Sequence, residues 1–389
     1  MIKILIWLTI IFFLLALGKN SPIYLIHHLP FFSSFRFPTR YLFIVIFLLS
    51  FLSAYGFEIF FRRFKLKYLK ILVILILIFE ISYFFNRFHI LMPENTLYQP
   101  PFTLSWLEKD RYLVTSSTLQ YLDQIYIKNG YKKNSLYYDF ANNLMLGNIN
   151  SIYEKQSFNN KFGPQIKRYI YYYSLIEENF DKKEKSINFD NKSINLINLA
   201  GINYIFSVYP IKNSNFKLLT KRKFNDYQVF IYKNQASLGR IQFFDHYYLT
   251  QTFDDFEKLI NRDKLDFVIL QKEKDWSLDK SDKVKAKYEI LNNKDDFLKI
   301  KTKTNKNTFL VLADTYYPGW QAYLNGKKVE ILRANLLFWA IYLPKGTHEI
   351  VFRYYPDSFE FGLKVTLITG FITILILFIL MKLIKLKII

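Results

Sequence analysis

Residues suited to binding a sugar are concentrated in one segment near the C-terminus, Asp314-Thr-Tyr-Tyr-Pro-Gly-Trp320. Aromatic rings can stack on the apolar faces of sugars, and carboxylates, guanidinium groups and amides can hydrogen-bond to hydroxyl groups. The candidate contacts are Asp314, Tyr316, Tyr317, Trp320, Arg333, Asn335 and Trp339. The simpler interpretation, which we favour over sugar binding by all of them, is that the aromatic residues form the core of a small sandwich. We expect a mixed case, in which Trp320 is buried and Tyr316 or Tyr317 is exposed.

A second candidate site is formed by two arginines in the segment Phe35-Arg-Phe-Pro-Thr-Arg40. Arg36 and Arg40 precede a long apolar run, and the planar fork of a guanidinium matches the oxygens of a phosphate group, such as that of a lipid carrier. The alternative, which we favour, is that both arginines only anchor the following helix at the membrane surface.

The sequence offers little for catalysis. Cysteine is absent, the five histidines are scattered, and neither a Gly-x-Ser-x-Gly motif nor a phosphate-binding glycine loop occurs. The acidic pairs are better explained as a helix end, a helix start and a turn; they are Glu108-Lys-Asp110, Asp254-Asp255 and Asp295-Asp296. We therefore predict no catalytic residue, no metal site and no cofactor.

The formal net charge of +21 suggests an anionic partner. Heavy use of Lys together with Asn, Ile, Phe and Tyr is typical of a biased coding composition. No recognised nucleic-acid motif occurs, so nucleic-acid binding is not predicted. A partner at a membrane surface, such as lipid phosphate or an acidic polymer, fits the charge better.

The candidate sugar contacts fall within a predicted antiparallel β module of residues 284–357. The apolar run Phe309-Leu-Val-Leu-Ala313 is typical of a buried strand. A strand from Trp320 to Leu324 follows, and Asn325-Gly326 predicts a two-residue hairpin turn because both positions favour positive φ. Two further strands are predicted at the end of the module, Leu336–Leu343 and Thr347–Tyr355.

Four apolar stretches are long enough to predict membrane helices. They are residues 1–17, 41–61, 69–85 and 364–380. The first could instead be a cleaved signal peptide with a processing site at Ala16-Leu-Gly18, although we favour a retained helix. Basic flanks at Arg62–Lys70 and Lys382–Lys387 predict a multi-pass protein of the cell membrane with both termini in the cytoplasm.

These patterns predict the order of the domains. The predicted domains are residues 1–85 with three transmembrane helices, 86–283 as an extracytoplasmic α/β domain, 284–357 as the β module, and 358–389 as a C-terminal transmembrane helix with a basic tail. The predicted fold class is therefore α-helical membrane segments plus an extracytoplasmic α/β region and a C-terminal antiparallel β-sandwich-like module.

Motifs of the last hundred residues resemble a known family. The motifs are Asp314-Thr-Tyr-Tyr-Pro-Gly-Trp320, Asn325-Gly-Lys327, Arg333-Ala-Asn335, Leu343-Pro-Lys-Gly-Thr-His348 and Phe352-Arg-Tyr-Tyr-Pro356. They resemble the C-terminal signature of bacterial YfhO-type membrane proteins, in which an Asp usually stands where this chain has Asn325. The YfhO-type proteins in turn resemble GT-C glycosyltransferases, which act on lipid-linked sugars.

The resemblance implies a role in glycosylating an envelope glycan or a teichoic-type polymer. GT-C enzymes carry an acidic base in their first extracytoplasmic loop, but residues 19–40 contain neither Asp nor Glu. Because glycosyl transfer needs a base near the acceptor, we expect this chain to be a C-terminal part that lacks the catalytic half and is inactive alone.

The implied partners are the lipid bilayer, a polyprenyl-phosphate-linked sugar, an anionic envelope polymer and an upstream GT-C membrane subunit. The alternative hypothesis is a non-enzymatic, membrane-anchored module that binds sugar or acts as a scaffold in assembly of the cell envelope.

Overall fold

The computed structural model of the protein describes most of the chain. The described residues are 2–29, 38–64, 67–88, 99–108, 110–129, 135–159, 166–224, 227–263, 265–271, 276, 278 and 283–388. The chain divides into two compact units, Met1–Ile90 and Leu91–Ile389.

The first unit is helical. Its helices are α1 (Ile2–Ala16), α2 (Tyr41–Phe64) and α3 (Lys67–Phe88). Helix α1 packs against α2, burying Leu15 and Val45 and bringing the Phe12 and Tyr41 rings to 6.1 Å between centroids. Elsewhere these helices expose apolar side chains, which is typical of helices that face lipid.

The second unit contains helices of varied length. They are α4 (Ser116–Asn129), α5 (Ser135–Asn143), α6 (Ile149–Ile152), α7 (Lys167–Ser174), α8 (Asn191–Leu199), α9 (Phe253–Ile260) and α10 (Asp357–Ile388).

The strands of the second unit are short. They are β1 (Arg111–Val114), β2 (Gln156–Ser157), β3 (Glu178–Asp181), β4 (Ser186–Phe189), β5 (Ile202–Ser207), β6 (Phe216–Lys223), β7 (Gln228–Asn234), β8 (Ile241–Phe244), β9 (Tyr247–Leu249), β10 (Val268–Leu270), β11 (Ala286–Asn293), β12 (Phe297–Thr304), β13 (Thr308–Leu312), β14 (Trp320–Leu324), β15 (Lys327–Val329), β16 (Leu332–Ala334), β17 (Phe338–Leu343) and β18 (Gly346–Tyr354).

The first sheet has the order β2-β1-β5-β7-β6, and β1 runs parallel to both β2 and β5. Both faces of the sheet are covered. On one face Val114 and Phe206 pack with Phe140 of α5, whereas on the other face Leu113 and Ile205 belong to the core that also contains helix α8. Parallel pairing with helices on both faces is an α/β arrangement, which confirms that part of the predicted fold class.

The remaining two large sheets pack face to face. The six-stranded sheet has the order β8-β13-β17-β16-β10-β9, and the C-terminal sheet has the order β11-β12-β18-β14-β15. Leu310, Trp339 and Ile341 of the six-stranded sheet share a core with Ile300 and Phe352 of the C-terminal sheet. The predicted β-sandwich-like arrangement is confirmed, and the six-stranded sheet takes β8, β9 and β10 from before residue 284.

Strand β13 explains the continuous apolar run that the sequence shows. Alternate residues of a strand point to opposite faces. Leu310 and Leu312 face the C-terminal sheet, whereas Phe309 and Val311 belong to the large core on the other side. Since both faces are buried, the strand has no solvent-facing polar positions.

The predicted hairpin turn is confirmed. Asn325 and Gly326 have φ of 49° and 80°, and they join β14 to β15. The Asn325 side chain also holds the turn against β18, since its Oδ1 accepts a hydrogen bond from the Glu349 backbone N–H at 2.9 Å and its Nδ2 lies 2.9 Å from Nδ1 of His348.

Two local predictions differ from the structure. The strand predicted from Leu336 begins at Phe338, because Asn335 and Leu336 have φ of 48° and 68° and form the turn between β16 and β17. Helix α4 was not predicted, since its sequence is rich in Ser, Gln, Tyr and Ile without a strong apolar period.

Within the part of the chain that the structure describes, three helices are long and apolar enough to cross a membrane. They are Tyr41–Arg63, Tyr68–Phe85 and Asp357–Ile379, where three of the four spans were predicted. The fourth predicted span, residues 1–17, forms the shorter apolar helix α1, which has 15 residues.

Candidate functional site

Asp314 lies where three elements of the second unit meet. It follows β13, while Arg240 directly precedes β8, the antiparallel neighbour of β13. The Ala313 N–H donates to the carbonyl of Arg240 at 2.8 Å, so the end of β13 and the start of β8 are fixed side by side. Arg111 is the first residue of β1 in the first sheet. Strand ends therefore bring together three charged residues that are far apart in the sequence.

The Asp314 carboxylate is clamped between two guanidinium groups. Arg111 donates from Nη2 to Oδ1 at 2.8 Å. Arg240 donates from Nε to both carboxylate oxygens at 3.1 Å and from Nη2 to Oδ2 at 2.6 Å. Arg111 also donates to the carbonyls of Ala200, at 2.8 Å, and Ala313. The resulting network ties the first sheet to the six-stranded sheet.

The charges in this network shift one another's pKa. Burial alone would raise the pKa of the Asp314 carboxyl, but the positive charges and hydrogen bonds of Arg240 and Arg111 bring the net pKa below its ordinary value. Burial lowers the pKa of Arg111, and Asp314 opposes that shift. A carboxylate with a lowered pKa, whose oxygens already accept from two arginines, is a poor general base.

The network borders a cavity of about 430 Å³, which we call the Asp314 cavity. Its aromatic lining comprises Phe158, Tyr169, Trp320, Phe338 and Trp339. Its polar and charged lining comprises Asn150, Lys155, Gln156, Ser157, Arg240, Asn293, Lys294, Asp295 and Thr315 along with Arg111 and Asp314. The remaining lining residues are Leu298, Leu312 and Ala313.

Two buried polar atoms of the lining residues have no hydrogen-bond partner among the described residues. They are the indole Nε1 of Trp339 and the side-chain Oδ1 of Asn150, one donor and one acceptor. Buried polar groups are almost always satisfied, so unpaired ones call for an explanation. Trp339 is only 2% exposed, and its ring packs against Trp320 with 4.7 Å between the centroids.

A second cluster contains other predicted contacts. Arg333 of β16 lies over the Tyr316 ring, with its Cζ 4.6 Å from the ring centroid. Its Nη1 donates to Oε1 of Gln271 at 3.0 Å, and Nη1 of Arg168 donates to the same oxygen at 2.8 Å. We call Arg168 and Arg333 the arginine pair. Arg168 directly precedes Tyr169, which lines the Asp314 cavity.

The structure divides the residues predicted from the sequence. Asp314, Trp320 and Trp339 line the Asp314 cavity, whereas Tyr316 and Arg333 belong to the second cluster. Trp320 is partly buried and Tyr317 is 51% exposed. Trp339 belongs to the core of the sandwich and Trp320 packs against that core, while both residues also line the cavity.

Asn335 is engaged with the backbone. It is fully buried at the turn before β17, where its Oδ1 accepts from the Ile269 N–H at 2.9 Å and its own N–H donates to the Ile269 carbonyl at 2.7 Å. These bonds hold the turn against β10, so Asn335 positions β16, the strand that carries Arg333.

The two arginines near the N-terminus belong to the first unit. Arg40 is exposed and ends the short 3₁₀ helix Pro38–Arg40 just before α2. Arg36 lies outside the described residues. Their suggested roles as phosphate contacts or membrane anchors stay predictions.

Sequence reasoning missed several lining residues. Arg111, Asn150 and Gln156 come from the first half of the second unit and carry no local motif. Arg111 and Asp314 are 203 positions apart in the sequence, and the local hydrophobic pattern around either residue does not indicate a contact between them. Arg168 and Gln271 of the second cluster were missed for the same reason.

The described residues contain no group of three His, Asp or Glu side chains that could hold a metal ion. The Asp314 cavity offers aromatic faces, hydrogen-bonding groups and charged groups for recognition of a ligand.

Fold and site together define a membrane protein whose second unit combines an α/β sheet, a β-sandwich and an apolar helix long enough to cross a membrane, and carries a polar, aromatic-lined cavity. Residues 264–366 match the sequence model of the family described as "Bacterial membrane protein YfhO". The predicted resemblance is confirmed over this part, about a quarter of the chain. Neither a curated protein nor a solved structure matches the chain.

Proposed function

We propose that this protein is a membrane-anchored glycan-binding module of a GT-C-like glycosyltransferase system in the cell envelope. In this proposal the Asp314 cavity holds a sugar ring of a lipid-linked donor or of the envelope polymer that receives it. The observation that carries the proposal is a cavity lined by the aromatic rings of Trp320 and Tyr169 together with the polar side chains of Asn150, Gln156 and Asn293.

The lining suits a sugar better than an apolar ligand. A sugar presents C–H groups on its ring faces and hydroxyl groups on its rim, so it needs flat aromatic surfaces beside donors and acceptors. The side-chain amides of Gln156 and Asn293, which line the cavity, carry both donors and acceptors that suit hydroxyl groups. A volume of about 430 Å³ lies within the range typical of small-ligand sites.

Binding without catalysis fits the state of Asp314. Its oxygens accept from Arg111 and Arg240, and its pKa is lowered, so it is unsuited to removing a proton from a hydroxyl group. We propose that the base for glycosyl transfer comes from a different polypeptide or segment, such as a GT-C membrane subunit. The chain would then correspond to a C-terminal part of a YfhO-type system and be inactive alone.

A scaffold role in envelope assembly is the second candidate. It is favoured by β11, an eight-residue edge strand of the C-terminal sheet with exposed Tyr288, Ile290 and Leu291. An exposed sheet edge can pair with a strand from another protein.

The proposal also places the protein in the cell membrane as a multi-pass protein with cytoplasmic termini. The second unit, apart from α10, would then lie outside the cytoplasm, where envelope polymers are found. The support is the distribution of Lys and Arg beside the apolar helices.

A glycan array tests the proposal directly. We expect the full chain, purified in polyoxyethylene detergent, to bind bacterial envelope glycans, and Trp320→Ala to weaken binding about tenfold, because loss of an aromatic stacking surface costs about 1 kcal/mol or more. The matched control is Trp106→Ala, an exposed tryptophan that does not line the cavity.

The outcome of the array is decisive in both directions. Equal binding by wild type and Trp320→Ala, with both folded, would remove the Asp314 cavity as the sugar site. If the protein binds none of the envelope glycans, the glycan-binding proposal is wrong and the scaffold role is the remaining candidate. Mutation of the exposed residues of β11 would then test that role.

A further inference from the structure

The arginine pair has an unusual electrostatic setting. Two guanidinium groups converge on one neutral oxygen, Oε1 of Gln271, at 2.8 Å and 3.0 Å. Among the residues that the structure describes, neither arginine has a carboxylate within salt-bridge distance. Like charges held this close repel each other, and burial together with the charge of Arg333 lowers the pKa of Arg168.

The arrangement also leaves hydrogen-bonding capacity unused. Nε of Arg333 is buried without a partner among the described residues. A small cavity of about 170 Å³ lies beside the pair and is lined by Arg168 and Gln271 together with Gln251, Thr252 and Phe253, while Arg333 approaches it only through Gln271. This volume far exceeds the roughly 10–15 Å³ that one water molecule requires by the same measure.

The pair is held rigidly. Arg333 is stacked on Tyr316, and its strand β16 is fixed between β17 and β10. The strand register pairs Arg333 with Trp339, so both side chains project from the same face of the sheet. Arg168 adjoins Tyr169 in α7. Each arginine therefore neighbours a residue that lines the Asp314 cavity.

We propose that the arginine pair and Gln271 form a binding site for a phosphate group. Guanidinium forks match phosphate oxygens, and two positive charges match the double charge of a phosphate monoester better than the single charge of a carboxylate. The phosphate relieves the repulsion between the arginines, while the Gln271 amide donates to a further oxygen.

This inference deepens the proposed function and rests on it only for the view that the phosphate is attached to a glycan. A sugar phosphate would place its ring in the Asp314 cavity and its phosphate on the arginine pair. Phosphate binding is measured without any sugar, so failure of this site and failure of glycan binding are separate results.

The test uses the thermal unfolding of the full chain in polyoxyethylene detergent, which contains neither sugar nor phosphate. Inorganic phosphate is titrated against chloride at matched ionic strength and pH 7.5. We expect phosphate to raise the Tm of the wild type. Arg168→Gln and Arg333→Gln should each increase the phosphate concentration at the midpoint of that rise about tenfold, since a charge-assisted hydrogen bond is lost.

The control is Arg222→Gln. Arg222 also lies over aromatic rings, 5.2 Å from Phe102 and 5.1 Å from Phe224, but it belongs to β6 and not to the pair. A general salt effect of phosphate would raise the Tm of all variants alike. That result, or no phosphate effect on the wild type, overturns the proposal.

Glu273 and Asp275 follow Gln271 in the sequence and lie outside the described residues. Glu273→Gln/Asp275→Asn therefore serves as a further variant. A phosphate effect seen only in this variant shows that the pair is neutralised within the chain, and it overturns the proposal for the native protein.

Two sources of the phosphate are separated by a second titration. Stabilisation by soluble glycerol 3-phosphate, lost in Arg333→Gln, supports a phosphate monoester carried by a soluble ligand. Stabilisation only by phosphatidic acid mixed into the micelles, whose headgroup is a phosphate monoester, lost in the same variant, supports a lipid headgroup. If neither ligand stabilises the wild type, that result contradicts the site.

Discussion

The Asp314 carboxylate is expected to matter for stability more than for proton transfer. Arg111 is only 10% exposed in its side chain, so removal of its counter-ion leaves a buried positive charge without its main partner. We expect Asp314→Asn to reduce the free energy of unfolding by about 3 kcal/mol at pH 7, as for other broken buried ion pairs. Thermal unfolding monitored by circular dichroism measures the loss.

The effect should depend on pH in a defined direction. Because the pKa of Asp314 is lower in the folded protein than in the unfolded chain, its stabilising contribution is complete above the ordinary Asp range near ~4 and is lost as the pH falls through the lowered value. The difference between wild type and Asp314→Asn should therefore shrink in acid. Asp295→Asn, an exposed carboxylate of the same cavity, should cost little at any pH. A gap that widens in acid would contradict this account.

At the scale of elements, Gly201 sets the position of Arg240. It ends helix α8 with φ of 62°, and a Cβ at this position would lie 2.6 Å from the carbonyl carbon of Gly239 and 3.1 Å from the Arg240 nitrogen. Gly201→Ala should therefore destabilise the protein by more than the ~1–2 kcal/mol of the left-handed conformation alone. The measurement is the Tm together with glycan binding, which we expect to weaken as Arg240 shifts.

Gly326→Ala provides the matched comparison. Gly326 also has positive φ, at 80°, but a Cβ there would meet no atom within 4 Å. It should show the conformational cost without the displacement of Arg240. Equal losses of Tm in the two variants would argue against a special role for the contact between Gly201 and Gly239.

A structural feature can be predicted from the sequence when the residues that form it are close together in the chain. The Asn325-Gly326 turn and the buried strand β13 depend on neighbouring residues, so their patterns are readable. The sandwich follows from these strands. The Asp314 site could be predicted only in part, because the sequence indicates Asp314 and Trp320 but not Arg111, which reaches them through tertiary packing.

At the scale of the whole molecule, the orientation in the membrane is the testable property. The chain has no cysteine, so a single introduced thiol reports on one position. We expect Lys182→Cys and Lys287→Cys, both at exposed lysines of the second unit, to react with an impermeant maleimide in intact cells. Arg63→Cys, at the end of α2, should react only after the cells are permeabilised. The reverse pattern would invert the proposed orientation.

The order of strands in the six-stranded sheet has a consequence for how the protein is made. Strand β8 pairs with β13, and Arg111 finds Asp314 only after 203 further residues. At a translation rate of ~5–20 residues per second, that delay is about 10–40 s. During this time the charge of Arg111 lacks its native partner, and for the last part of it the edge of β8 is unpaired as well. The emerging chain should therefore depend on chaperones, and slowed synthesis should lower its yield before any change in the finished protein.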